Sequence, residues 1–146
     1  MPKQSRNQQN HAHKVGALGE KVVHTFLLQH SDFVHETCYA HPADLFVEFG
    51  NNTLYRVQVK TRTASKAGKY TFPIESHRAK ADTHATYHCD ILAFCFIPDK
   101  RIIFKPNNTQ QNYFVFTNKD FTDDMELESL QSTLNTLAEI PVISKL

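Results

Sequence analysis

Four residues in the first half of the chain have side chains that together suit the hydrolysis of a phosphodiester bond: Glu20, Asp44, Gln58 and Lys60. A Mg²⁺-like ion prefers hard oxygen ligands. Two carboxylates, one amide oxygen and the backbone carbonyl of Val59 would supply such ligands. The bound ion would polarise the phosphate and lower the pKa of a bound water molecule. We therefore expect a Mg²⁺ site in which Mn²⁺ can substitute.

Lys60 is the cation of this set, and three roles are open to it. Its amine could orient the attacking water, deprotonate that water, or offset the negative charge that grows on the phosphate. To act as a base, Lys60 needs a pKa well below the usual value for lysine, which a nearby metal ion can cause.

A helix is predicted to carry the first of these residues. Apolar residues recur at helical spacing at Val15, Leu18, Val22 and Phe26, flanked by Val23 and Leu27. This pattern predicts a helix over residues 15–30, with Glu20 at the edge of its apolar stripe. Gly16 and Gly19 would let another part of the chain approach this helix closely.

A hairpin is predicted to carry the other three. Two strand-like segments flank a Gly-Asn-Asn turn signal at residues 50–52. The second segment, 54–60, alternates strictly, so Gln58 and Lys60 point to one face and its valines to the other. The first segment begins at Asp44, and the hairpin would bring this carboxylate close to Gln58 and Lys60.

The remaining pattern completes an α/β plan with a central mixed sheet. Further strands are predicted over 33–39, 71–74, 89–97, 101–104 and 113–116. Helices are expected over 75–85 and from Asp123, the latter with a stripe of leucines. We divide the chain into a mobile, polar and basic arm (1–14), a core (15–106) and a C-terminal strand–helix extension (107–146). The extension would pack on the core or serve oligomerisation.

Basic residues concentrate in the middle of the chain, although the net charge of its 146 residues is only +1. Between Arg56 and Lys80, seven basic residues face one acid, whereas from Lys119 onward two basic residues face six acids. A basic middle suits a surface that binds phosphates, although a solvated charged face is the alternative. The candidate DNA contacts, besides the N-terminal arm, are Arg62, Lys66, Lys69, Arg78 and Lys80.

Several other classes of protein are disfavoured. No apolar run approaches the roughly 20 residues that span a bilayer, and the polar N-terminus does not have the pattern of a secretory signal. The odd number of cysteines, Cys38, Cys89 and Cys95, indicates core thiols in a reducing compartment, so we expect a cytoplasmic protein. No pair of cysteines or histidines has zinc-site spacing, which makes His11 and His13 surface histidines. A cysteine nucleophile is disfavoured because the strand that holds Cys89 and Cys95 is apolar.

In these residues the sequence resembles the PD-(D/E)xK nuclease superfamily. The similar segments are Gly16-Ala17-Leu18-Gly19-Glu20, Pro42-Ala43-Asp44-Leu45 and Val57-Gln58-Val59-Lys60-Thr61. They are closest to small group I intron homing endonucleases with a QxK motif, and are similar also to archaeal Holliday-junction resolvases. The resemblance covers roughly residues 15–106. It implies a restriction-endonuclease-like α/β core, with a central mixed sheet flanked by helices.

The resemblance also implies roles for individual residues. Asp44 matches the motif aspartate, Lys60 the motif lysine and Glu20 the helix carboxylate. Gln58 stands at the variable acid, so the site has one carboxylate fewer than the common form. That change would weaken metal binding or leave one metal ion rather than two. The other departure is at Pro42, where PxD replaces a strict PD.

The function that the resemblance implies is metal-dependent hydrolysis of double-stranded DNA by a site-specific homing endonuclease. One active site per chain implies at least a dimer for cutting both strands, and homodimer and homotetramer both stay open. Two alternatives remain: a structure-selective nuclease such as a Holliday-junction resolvase, and a DNA-binding module that has lost catalysis. Without any chemistry, Glu20 would face solvent, Asp44 would cap a strand and Lys60 would be an edge charge.

Overall fold

The computed structural model describes residues 5–37, 43–50, 52–73, 89–107 and 113–138. Its elements are α1 (Arg6–His30), β1 (Phe33–Glu36), β2 (Leu45–Glu48), β3 (Leu54–Arg62), β4 (Lys69–Pro73), β5 (Ile91–Phe96), β6 (Arg101–Pro106), β7 (Tyr113–Thr117), a 3₁₀ turn (Asn118–Asp120) and α2 (Asp123–Ala138). The predicted helix over 75–85 lies outside the described residues. Neither helix in the described ranges combines the length and apolar content that crossing a membrane requires.

Five strands form a central mixed sheet in the order β1-β2-β3-β5-β6. The predicted hairpin is confirmed, because β2 pairs with β3 in antiparallel register with Leu45 opposite Val57. Strand β5 runs parallel to β3 and antiparallel to β6. Strands β4 and β7 form a separate antiparallel pair.

Two hydrophobic clusters cover the two faces of β5, which is buried at every position as its continuous apolar sequence predicts. On one face, α1 and α2 pack against alternate β5 residues. On the other face, the β4–β7 pair forms an aromatic cluster with the remaining β5 residues. Its main members are Tyr70, Phe72, Phe94, Phe96, Phe114, Phe116 and Phe121. Both faces of the central strand are therefore shielded from water.

Helix α1 begins well before the predicted start at residue 15. Ser5 and Gln8 form a capping box: the Gln8 backbone N–H donates to the Ser5 hydroxyl at 3.2 Å, and the Ser5 backbone N–H donates to the Gln8 side chain at 2.9 Å. These bonds satisfy amide groups that a helix start leaves unpaired. The prediction of a mobile arm was therefore wrong for residues 6–14. Residues 1–4 lie outside the described ranges.

The buried face of α1 also differs from the predicted stripe. Its buried residues are Gly19, Val23 and Leu27. Leu18 is 44% exposed, and Val22 and Phe26 are only partly buried at the margin of the core. In α2 the predicted stripe holds except at Leu127, which is 39% exposed. The buried face of α1 is therefore shifted toward Val23 and Leu27, whereas α2 keeps its predicted stripe at Leu130, Leu134 and Leu137.

Gly19 marks the closest approach of α1 to β3. A Cβ atom at Gly19 would lie 2.9 Å from both Cβ and Cγ2 of Thr61, whereas nothing lies within 4 Å of one at Gly16. We expect Gly19→Ala to lower the free energy of unfolding by about 1–3 kcal/mol through overpacking. We expect Gly16→Ala to raise it by about 0.5–1 kcal/mol because alanine favours a helix. Urea denaturation of both variants measures this, and changes of the same sign would contradict the proposed packing.

Candidate active site

Asp44 lies beside the middle of β3, where β2 has not yet begun. Its backbone N–H donates to the carbonyl of Val57 at 2.9 Å. Its carboxylate Oδ2 accepts from the backbone N–H of Val59 at 2.8 Å. The pairing of β2 with β3 ends at Leu45 and Val57, so the Asp44 side chain takes the next free amide on β3. These two bonds hold the carboxylate at one point along the strand.

The backbone carbonyl of Val59 is directed to the same edge of β3. In a β-strand, the N–H and C=O groups of one residue point to the same side. Because the Val59 N–H bonds to Asp44, its carbonyl oxygen faces the Asp44 side as well. The carbonyl and the carboxylate are thus available together as oxygen donors.

Glu20 contributes a second carboxylate from α1. Its side chain is half-buried, and burial raises its pKa above the ordinary value, with the negative charges of Asp44 and Glu36 adding to the effect. Burial also raises the pKa of Asp44, against the opposing influence of the Val59 N–H and the Lys60 ammonium. Two crowded, partly desolvated carboxylates favour a cation between them.

Gln58 and Lys60 share one face of β3, as the alternation predicts, and α1 packs on the other face. They pair with Leu92 and Phe94 of β5, whose side chains belong to the aromatic cluster. Gln58 is 7% exposed and Lys60 is half-buried. Burial lowers the pKa of Lys60 to about 8, although the Asp44 carboxylate acts in the opposite direction.

One cavity of about 380 Å³ brings these groups together. It lies beside α1, along the edge of β3 beyond its pairing with β2, so residues from both faces of this strand line it. The predicted site residues that line it are Glu20, Asp44, Gln58, Val59 and Lys60. The other lining residues are His11, Ala12, Val15 and Gly16 of α1, and Thr61, Arg62 and Thr63 at the end of β3. Elements distant in the sequence thus converge on a single space.

His11 lines the cavity but was not among the predicted site residues. It is exposed, so the prediction of a surface histidine, which rested on the absence of zinc-site spacing, is confirmed. The Ser5-x-x-Gln8 pattern was the available signal, since a serine followed three residues later by glutamine is typical of a capped helix start. A helix that begins at this cap includes His11, which then lies on the same wall of the cavity as Glu20.

The predicted DNA contacts fall into three groups. Arg62 is exposed and lines the cavity, and its Nε donates to the carbonyl of Thr71 at 2.9 Å. Lys66 and Lys69 are exposed and lie on a tight turn, where their backbones form two hydrogen bonds of 2.9 and 3.1 Å; they are not among the residues that line the cavity. Arg78 and Lys80 lie outside the described residues.

The donor set of the cavity fits a hard cation. It consists of the Glu20 and Asp44 carboxylates, the Gln58 amide oxygen and the Val59 carbonyl, all oxygen ligands of the kind that Mg²⁺ prefers. Within the described ranges, no group of three or more His, Cys, Asp or Glu side chains is placed to hold a metal ion. The fit therefore depends on the amide and the backbone carbonyl as well as on the two carboxylates.

Asp90 ties the start of β5 to β3 near this site. Its carboxylate accepts from the backbone N–H of Arg56 at 2.8 Å and from that residue's Nε and Nη2 at 3.3 and 3.2 Å. In return, the Asp90 backbone N–H donates to the Arg56 carbonyl at 2.8 Å. The pair holds the strands in register two residues before Gln58, which supports the site without lining the cavity.

The thiols of Cys89 and Cys95 are poor nucleophiles. Cys89 is 7% exposed and Cys95 is 0% exposed, and burial raises the pKa of each thiol to about 12. At pH 8 we expect iodoacetamide to label both residues at least about 100-fold more slowly in the native protein than in urea, because the thiolate is the reactive form. Peptide mapping by mass spectrometry measures this, and rapid native labelling at either position would refute it.

No protein-family model and no curated protein matches the sequence. The structure is similar to that of a bacterial homing endonuclease, I-Ssp6803I, with a TM-score of 0.60 and 12% identity over 86% of this chain and 96% of that chain. It is also similar to the Holliday junction resolvase Hjc of Archaeoglobus fulgidus, with a TM-score of 0.47 and 14% identity over 73% of this chain and 86% of that chain. The first similarity confirms the predicted fold class, an α/β core with a central mixed sheet flanked by helices.

Proposed function

We propose that the protein is a metal-dependent endonuclease that hydrolyses phosphodiester bonds in double-stranded DNA. The observation that carries this proposal is the convergence of Glu20, Asp44, Gln58 and Lys60 on one cavity between α1 and β3. A fold shared with a homing endonuclease supports it, and favours a site-specific homing enzyme. Cutting both strands requires two such sites, so we propose a homodimer or homotetramer.

Mg²⁺, with Mn²⁺ as a substitute, is the proposed cofactor. Glu20, Asp44, Gln58 and the carbonyl of Val59 would hold it. When bound, such an ion polarises a phosphate and lowers the pKa of a bound water molecule. The chain contributes rigidity: the bond from the Val59 N–H at 2.8 Å keeps the Asp44 carboxylate in place before any ligand arrives.

In the same cavity, Lys60 supplies either a proton acceptor or a positive charge. Its pKa of about 8 means that the neutral amine can take a proton from the attacking water near neutral pH. In its charged form, the ammonium can offset the negative charge that develops on the phosphate. Partial burial strengthens the second effect, because water screens a half-buried charge less than an exposed one.

A cleavage assay tests the proposal. Supercoiled plasmid and a pool of randomised duplexes are incubated with the purified protein in Mg²⁺ or Mn²⁺, and in EDTA as the control. We expect nicked and linear products with either ion and none with EDTA. Sequencing of the cut ends then shows whether cleavage is site-specific.

The same assay separates the alternatives. Preferential cutting of a four-way junction over a linear duplex of the same arms would identify a structure-selective nuclease. Binding of duplex without cleavage of any pool member, in either ion, would identify a DNA-binding module. The neutral Gln58 in place of an acid is the residue that favours this last outcome.

A further inference from the structure

The first turns of α1 extend the wall of the candidate active site into solvent. Residues 5–14 are all exposed, and the capping box holds the start of the helix in place. The sequence from Ser5 to Gly19 contains no acidic residue. This part of α1 therefore presents polar and basic side chains, on an ordered helix, directly beside the cavity.

His11 is suited to donate a hydrogen bond to an anion from this wall. Among the described α1 residues that line the cavity, Ala12, Val15 and Gly16 have no polar side-chain atom and Glu20 is a carboxylate. A carboxylate repels a phosphate, and hydrocarbon cannot bond to it, whereas an imidazole N–H can. Around Gly16 there is open space, because nothing lies within 4 Å of an added Cβ atom. The cavity is therefore open beside Gly16, the residue of α1 that lies between His11 and Glu20 in the sequence.

The opposite wall, formed by β3, carries several donors. Lys60 has an ammonium group, Thr61 and Thr63 have hydroxyls, and Arg62 has a guanidinium. The bond from the Arg62 Nε to the Thr71 carbonyl at 2.9 Å holds that side chain against β4. A phosphodiester that enters the cavity therefore meets donors on the β3 side, and His11 is the group that can hold it from the α1 side.

We propose that His11 donates a hydrogen bond to a non-bridging phosphate oxygen of the substrate DNA, and thereby positions the backbone between α1 and β3. The inference rests on the proposed function, since it takes DNA as the ligand. A phosphate contact carries no base information. Any duplex therefore reports it, whether or not it contains a cleavage site.

Binding of a fluorescein-labelled, random-sequence duplex, measured by fluorescence anisotropy, tests this contact. Ca²⁺, which also takes oxygen ligands, replaces Mg²⁺ to prevent cleavage, and low salt preserves phosphate contacts. We expect His11→Ala to raise Kd at least about fivefold, as the loss of one hydrogen bond to a charged group implies. We expect His11→Gln to stay within about twofold of the wild type because its amide keeps an N–H donor.

His13→Ala is the matched control. His13 is exposed on the same turn of α1 but is not among the residues that line the cavity. We expect its Kd to change less than about twofold, in the range of a general charge effect. Thermal melting of all three variants should match the wild type, because both imidazoles are exposed.

Each other outcome rejects the inference in a defined way. Equal losses at His11 and His13 would show only a general effect of the helix, and an unchanged His11→Ala would show no contact at all. A His11→Gln variant as weak as His11→Ala would exclude the donor role. None of these results touches the proposed nuclease function, which fails separately if the wild type cleaves no DNA in Mg²⁺ or Mn²⁺.

Discussion

Replacing Lys60 with alanine should lower the rate of DNA cleavage by about 10²–10⁴-fold, the range for loss of a general base or of a group that stabilises developing charge. The ammonium lies half-buried in the cavity, close enough to Asp44 for that carboxylate to influence its pKa. In the alanine variant, water that fills the space of the lysine side chain would not take over its role, because it is not held in a fixed orientation toward the substrate. Single-turnover cleavage of plasmid in Mg²⁺ measures the effect.

Lys105→Ala is the control for charge removal. Lys105 is exposed on β6, two strands away from β3 in the sheet, and its loss should leave the rate within about twofold, as for an ordinary surface charge. Thermal melting of both variants verifies that they are folded. A Lys60→Ala rate within tenfold of the wild-type rate would show that Lys60 takes no essential part in cleavage. The proposed catalytic role of this site would then lose its main support.

Lys60→Arg distinguishes the two roles that remain open. Arginine keeps the positive charge but does not lose its proton near neutral pH. If Lys60 offsets charge on the phosphate, the arginine variant should retain much more activity than the alanine variant. If Lys60 accepts a proton from water, both variants should be equally slow.

The second large effect is expected for Asp44→Asn. The asparagine side chain has nearly the same shape and still offers an oxygen to the Val59 N–H, but it removes the charge that a divalent ion would require. We expect at least about tenfold weaker Mn²⁺ binding and cleavage about 10²–10³-fold slower, since both metal activation and charge stabilisation are weakened. Isothermal titration calorimetry and single-turnover cleavage measure the two quantities.

Although Asp44→Asn should weaken metal binding and cleavage, we do not expect it to lower the melting temperature of the protein. Burial raises the pKa of Asp44 in the folded protein, so the ionised carboxylate is disfavoured there relative to the unfolded chain. At neutral pH, a neutral amide removes this penalty, and the variant should melt at the same temperature as the wild type or slightly above it. Loss of cleavage with retained stability would indicate that Asp44 acts as a metal ligand. A loss of stability would instead indicate that Asp44 serves mainly as a strand cap.

The control for this substitution is Asp124→Asn, an exposed carboxylate in the first turn of α2. It should leave ion binding and cleavage unchanged and cost a few tenths of a kcal/mol at most, because an acid near a helix N-terminus is modestly stabilising. If Asp44→Asn cleaved DNA as fast as Asp124→Asn, the assignment of Asp44 as a metal ligand would be wrong.

Local features of the structure were predictable from the sequence. The continuous apolar run of β5 and the alternation of β3 arise from residues a few positions apart, and their periodicity reports which faces are buried. The hairpin of β2 and β3 was predictable for the same reason, since a Gly-Asn-Asn signal stands between two strand-like segments of the sequence. The capping pair at Ser5 and Gln8 was also a local signal. The start of α1 at Arg6 was therefore encoded in nearby residues, although the prediction placed it at residue 15.

What the sequence by itself determined is therefore the set of elements and the chemical types of Glu20, Asp44, Gln58 and Lys60. Only the tertiary structure decided which face of α1 is most buried, because Val22 and Phe26 and their neighbours Val23 and Leu27 all follow helical spacing, and packing against the sheet favours the second pair. It also decided that His11 joins Glu20 at the cavity and that burial lowers the pKa of Lys60. The placement of His11 beside the cavity and the burial of Lys60 depend on packing between elements that are far apart in the chain. Patterns in the sequence report only on residues that are close together along the chain.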